Sequence, residues 1–164
     1  MFYIYDGGQH GLIAATTDTG FSQTISWHEE LNKRINARSD GIGAGAANTA
    51  VMITKRGETS QYSNYVPPSA ATLWHQYPPA TGGWAEADGV IYGDWYLPSK
   101  HELSLMIGNN SAASLNLTAS NGYWSSNENV SGFKQNEAWR HLLGANADSV
   151  AKSSYARVRM IREF

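Results

Sequence analysis

The residues best equipped for chemistry in this chain are its cations. Residues 134–164 hold Lys134, Arg140, Lys152, Arg157, Arg159 and Arg162 against Glu137, Asp148 and Glu163, a local charge of +3. The remaining residues carry six basic and eleven acidic side chains, −5, so the net charge of −2 hides a split. A second cluster, Lys33, Arg34 and Arg38, falls where a helix is expected, and Arg34 and Arg38, four residues apart, would share one helix face. If the two clusters meet, they form a positive patch on a mildly acidic protein, and such a patch attracts polyanions. Arginine forks then grip sulfate or carboxylate oxygens two at a time. The candidate ligand-binding residues are therefore Arg140, Lys152 and Arg157, then Lys134 and His141, with Lys33, Arg34 and Arg38 as the second patch. Arg159 shares the face of Tyr155 and Arg157.

Other chemistries find less support. There is no cysteine, which excludes a disulfide framework, a thiolate metal site and a cysteine nucleophile. The five histidines form neither H-x-x-x-H nor H-E-x-x-H, and no G-x-S-x-G is present, so no enzyme and no zinc site is expected. Gly41 to Ala46 matches G-x-G-x-x-A, but residues 36–40 before it do not read as the strand that a dinucleotide fingerprint requires. Asn127, Glu128, Asn129, Asn136 and Glu137 supply hard oxygen donors without the spacing of a calcium loop. No cofactor is expected, with calcium the one ion the donors would suit. No nucleic-acid partner and no membrane insertion are expected, since no apolar stretch approaches the ~20 residues of a membrane span.

These residues must be held by a single domain spanning 1–164. Charged residues make up 16% of the chain, against about 25% in an average soluble protein. Aromatics reach 12%, including 6 Trp and 9 Tyr, beside 16 Gly. That is a loop-rich chain presenting hydrogen-bonding surface. Phe2 to Tyr5 and His10 to Thr16 read as a hairpin turned at Asp6-Gly7-Gly8. Ser26 to Glu29 is a capping box predicting a helix to about Asn36. Helices are predicted over Ala46–Arg56, ended by Gly57, and over Ser69–Tyr77. A loop should follow to Tyr92, flanked by accessible Trp74 and Trp84. Ser99 to Glu102 is a second capping box, opening a helix that ends at Gly108. Gly122–Ser126 and Ala138–Leu142 read as antiparallel strands, and Tyr155–Arg162 alternates like a strand. Trp95, Trp124 and Trp139 stand inside regular segments and belong in the core. The architecture is α+β: helices on one small, mainly antiparallel sheet, with the first and last strands adjacent.

The order of these segments resembles a known family. Phe2 to Gly8 with His10 to Ala15, Gly43 to Ala50, Gly93 to Leu103, Tyr123 to Ser126, Ala138-Trp139 and Tyr155 to Arg159 are similar to the bacterial surface-adhesin and fibre-tip domain family known from the C-terminus of the Legionella collagen-like adhesin. The glycine-rich lead before the family's first strand is missing, so a slight truncation at the N-terminus is expected. The resemblance implies a C-type-lectin-like fold, display at the bacterial surface or in secreted form, and a homotrimer set by an upstream collagen-like region. It implies sulfated glycosaminoglycans of the heparin, heparan or chondroitin sulfate type as ligands, with roles in attachment and biofilm. The alternative is a trimeric fibre-tip cap that binds protein partners through aromatic loops. The calcium-bridging Pro motifs of sugar-binding C-type lectins are absent, and Trp139 is followed by Arg140-His141.

Overall fold

The computed structural model describes residues 1–18, 24–28, 33–57, 94–108, 115–118, 120–132 and 134–164. Within them the chain runs β1 (Tyr3–Tyr5), a 3₁₀ turn (Asp6–Gly8), β2 (His10–Ala14), α1 (Ala44–Gly57), α2 (Lys100–Gly108), β3 (Tyr123–Glu128), β4 (Glu137–His141), β5 (Ala147–Ala151) and β6 (Ile161–Glu163). The class is α+β, as the sequence indicates. The expected helix over Ser69–Tyr77, the loop to Tyr92, Trp74 and Trp84 lie outside the described residues.

One sheet was expected, and among the described residues there are two, each of three antiparallel strands: β1-β2-β6 and β3-β4-β5. The first begins as a hairpin because Asp6, Gly7 and Gly8 all take positive φ (51°, 65° and 95°). Glycine meets that demand without a Cβ clash, and Asp tolerates it. β6 then pairs with β2, in the register Leu12↔Glu163, Ile13↔Arg162 and Ala14↔Ile161. The first and last strands thus flank β2, and the Tyr5 hydroxyl donates to the Glu163 carboxylate across it. That bond pushes the Tyr5 phenol up to about 12.

The expected strand Tyr155–Arg162 is divided because its segment serves both sheets. Ala156 bridges Ile25 and Arg157 bridges Tyr123. The chain then crosses to β2, where the Ala15 amide donates to the Met160 carbonyl at 2.9 Å. Between these points Arg159 turns inward to Asp18, with its Nε 2.8 Å from Oδ1.

The helix expected from Ser26 to Asn36 does not extend through residues 33–36, which are non-helical. Tertiary contacts outweigh the capping pattern there. Ile25 is tied to Ala156, the Trp27 indole donates to the Ser125 carbonyl at 2.7 Å, and Asn36 has φ 67°. Glu29 lies outside the described residues.

Two apolar clusters hold the elements together. Trp27, Met52, Trp95, Trp124, Ala138 and Val158 form one; Leu12, Tyr96, Leu103, Met106, Tyr123 and Ile161 form the other. Trp139 is only half-buried, contrary to expectation, and the Lys100 ammonium sits 4.8 Å from its ring centroid.

The second capping box is present as drawn. The Glu102 amide donates to Ser99 Oγ at 3.2 Å, and the Glu102 carboxylate accepts the Ser99 amide at 2.7 Å. Buried Glu102 also accepts the Gly43 amide and the Tyr96 hydroxyl, joining the start of α2 to the turn before α1. Burial, and then the Glu102 charge, push the Tyr96 phenol far above its usual range. Gly45 packs against the same point. A Cβ there would lie 2.6 Å from the Leu97 carbonyl oxygen and 2.7 Å from the Ser99 nitrogen. Gly→Ala in a helix normally stabilises by about 1 kcal/mol. Gly45→Ala should instead destabilise by about 1–3 kcal/mol through overpacking against backbone that cannot swing away. Urea denaturation reads the sign directly, and a gain in stability would contradict this packing.

Candidate functional site

The structure sorts the eight candidate residues into two kinds. Arg140 lies opposite Asp148 on β5, and its Nε and Nη2 grip the two carboxylate oxygens at 3.0 and 3.1 Å. Lys134 reaches Glu137 at 3.2 Å. Glu137 also accepts Ser149 Oγ at 2.7 Å and Asn129 Nδ2 at 3.3 Å. Its carboxyl is held below the ordinary range, first by the Ser149 hydroxyl, with Lys134 and Asn129 adding to it against the cost of burial. His141 is half-buried, with Nδ1 3.0 Å from the Leu142 carbonyl oxygen. Arg157 donates to Asp18 at 3.1 Å.

Lys152 requires the largest correction. Expected on the surface, its side chain is fully buried and its Nζ lies 2.5 Å from Glu128 Oε1, itself fully buried. The ammonium also donates to the Lys33 carbonyl at 2.6 Å and sits 5.2 Å from the Trp27 ring centroid. An ammonium taken wholly out of water needs a counter-charge and hydrogen bonds, and these partners supply both. Lys152 does not present a charge to a ligand.

Lys33, Arg34 and Arg38 are exposed, though not on a helix. They stand on a non-helical strap over residues 33–40 in which exposed Arg34, Asn36 and Arg38 alternate with buried Ile35 and Ala37. The shared helix face expected of Arg34 and Arg38 is therefore replaced by two side chains on either side of a left-handed turn at Asn36. Among the described residues Arg34 and Arg38 make no ion pair, whereas Arg140, Lys134, Arg157 and Lys152 all do. The two patches differ in kind: the late-strand cations Lys134, Arg140, Lys152 and Arg157 are neutralised by neighbours, and Arg34 and Arg38 on the strap are displayed.

The strap is anchored along its length. Glu128 Oε1 accepts the Ile35 amide and Oε2 the Asn36 amide, each at 2.8 Å. The Glu128 amide donates to the Ala37 carbonyl at 2.6 Å. Asn48 closes a pair of bonds with the Ser39 backbone, at 3.0 and 2.7 Å, and Asn127 Nδ2 adds a third to the Ser39 carbonyl. Asp40 accepts the His101 amide at the start of α2 and lies 3.5 Å from Lys100 Nζ.

Of the donors considered for calcium, Asn127, Glu128, Asn129 and Glu137 are engaged with other partners. Glu128 is committed to Lys152 and two amides, and Asn127 Oδ1 accepts the Lys100 amide at 2.7 Å. Among the described residues no group of three or more His, Asp or Glu side chains converges as metal ligands do. No helix there is long and apolar enough to cross a membrane.

Sequence reasoning saw Glu128 only as an oxygen donor in a polar loop and missed its role as the anchor of the strap. Its partner Lys152 is 24 residues away, and no local spacing links them. The only local hint was Asn36, one of the few residue types that accept a left-handed backbone. Comparison with known protein families and with curated proteins finds no match to this chain.

Proposed function

We propose that this chain is a non-enzymatic adhesin domain that binds sulfated polysaccharide through the strap carrying Lys33, Arg34 and Arg38. The observation that carries the reading is the display of Arg34 and Arg38: exposed, without an ion-pair partner among the described residues, and mounted on an anchored backbone. Guanidinium groups in that state are available for charge-assisted, bidentate bonds to sulfate. The resemblance in segment order supports placing the domain in the collagen-like adhesin family, with a C-type-lectin-like fold and display at the bacterial surface. The pairing of both β1 and β6 with β2, which brings the first and last strands into one sheet, is compatible with that fold. In a homotrimer each strap would occur three times, which raises effective affinity for a long chain.

Arg34→Ala with Arg38→Ala should weaken binding to immobilised heparin about tenfold or more, since each charge-assisted bond is worth about 1.5–3 kcal/mol. The fold should be unaffected, because both side chains are exposed. Wild-type retention should fall steeply with salt and be absent on an uncharged polysaccharide. Flow-through of the wild type at low salt would sink the reading. The fibre-cap reading draws on a different observation: Met1, Ile4 and Phe164 are exposed apolar side chains, at 63%, 50% and 43%. Binding through such a surface would persist at high salt.

A further inference from the structure

We infer that the buried Glu128–Lys152 pair is the positioning device of the strap, fixing residues 33–37 so that Arg34 and Arg38 form a preformed row for a linear polyanion. The inference rests on the polyanion reading above and adds to it the residues that create the site and the shape of ligand it takes.

A fully buried ion pair is weak ground for stability, because apolar side chains of similar volume often serve as well or better. What distinguishes this pair is where its remaining hydrogen-bonding capacity goes. Glu128 takes the Ile35 and Asn36 amides, one on each oxygen, and Lys152 takes the Lys33 carbonyl. The Glu128 backbone takes the Ala37 carbonyl. Four of five consecutive strap residues are thus tied to these two. Successive amides converging on one carboxylate form a concave nest. Here the nest coincides with the left-handed turn at Asn36, φ 67°. Ile35 and Ala37, 1% and 0% exposed, plug the strap into the core on either side. Arg34 and Arg38 have little freedom left in their backbone, so less ordering is lost when a ligand binds.

The geometry also bounds the ligand. Four residues of extended chain span at most roughly 13–14 Å, and the turn at Asn36 shortens that reach. An unbranched chain whose anionic groups repeat within that distance can therefore meet both guanidinium groups at once.

The pair is tested by removing both charges together, Glu128→Leu with Lys152→Met, in the full chain. The melting temperature should fall less than for either single substitution, since no buried charge is left unpaired although the Ile35 and Asn36 amides and the Lys33 carbonyl lose their partners. Heparin affinity should fall about tenfold as the strap loses preorganisation. Trypsin, mapped by mass spectrometry, should cut after Lys33, Arg34 or Arg38 in the folded variant and spare these sites in the wild type. A folded variant that keeps wild-type affinity, or whose strap stays protected, overturns the inference. If that variant does not fold, the Asn36 pair decides. Asn36→Gly accepts the left-handed backbone and Asn36→Val opposes it, though both lose the same amide. Retention on heparin should be weaker for Val than for Gly, and equal retention overturns the inference. A wild type that passes through heparin with its strap protected would refute the polyanion reading while leaving the anchoring of the strap established by the trypsin map.

Discussion

Asp18→Ala is expected to lower the stability of the domain by about 3–5 kcal/mol, the range for a buried charge left without its partner. Asp18 is the hub of a network that joins distant segments. Its Oδ1 accepts Arg159 Nε at 2.8 Å and lies 2.6 Å from Nη2. Its Oδ2 accepts Arg157 at 3.1 Å and the Tyr123 hydroxyl at 3.3 Å. Arg159 is 2% exposed, and its remaining bonds go to the Ala15 and Leu115 carbonyls. Without the carboxylate a guanidinium charge stays buried among neutral acceptors. Urea denaturation measures the loss. Asp18→Ala combined with Arg159→Met should recover a substantial part of it, because the uncompensated charge leaves with its partner. A single-variant loss below about 1 kcal/mol, the scale of an exposed ion pair, would show that water reaches the network.

Trp124→Ala should cost about 3–5 kcal/mol, the range for a large aromatic truncated in a packed core. Trp124 has no exposed surface, and its indole nitrogen donates to the Ile25 carbonyl at 2.8 Å. The substitution opens a cavity and removes one of two bonds to the Ile25 carbonyl, which keeps the Ala156 amide at 3.1 Å. Trp139→Ala, on the neighbouring strand β4, should cost much less, since that ring is half-solvated and stands under Lys100. Parallel denaturation curves give the comparison. Equal losses at the two positions would contradict this division between core and surface.

Trp139 also illustrates what the sequence could and could not show. Trp124 and Trp139 look alike in the chain, each inside a strand-like run. The difference between them is set by α2, which brings Lys100 over one ring and not the other, and no local pattern encodes that. Features whose partners lie within a few residues were legible. The Asp6-Gly7-Gly8 turn, the Ser99–Glu102 capping box and the end of α1 at Gly57 all depend on such spacing. The Ser26–Glu29 box has the same spacing, and residues 33–36 beyond it are not helical. There Trp27 and Ile25 answer to Ser125 and Ala156, about a hundred residues on. β5 carried no strong strand signal because Ala147, Asp148 and Ser149 have low β propensity, and pairing with β4 decides its conformation. The site follows the same division. The cations were visible as residues, but whether each is displayed or neutralised depends on Asp148, Glu137, Asp18 and Glu128, which only folding brings to them.

The arrangement of β1 and β6 has a mechanical consequence. Both strands flank β2, run parallel to one another, and hold Tyr3 and Glu163 level on either side of Leu12. Strands in a sheet lie about 4.8 Å apart, so the two ends of the fold sit roughly 10 Å from each other. A tensile load that draws the ends apart along the strand axis would slide β1 and β6 in opposite directions past β2. Both ladders, and the Tyr5–Glu163 tie between them, would then resist together instead of peeling open one bond at a time. The strands that carry the chain's two ends thus form a shear clamp, loaded before the strap or its buried anchor feels any force.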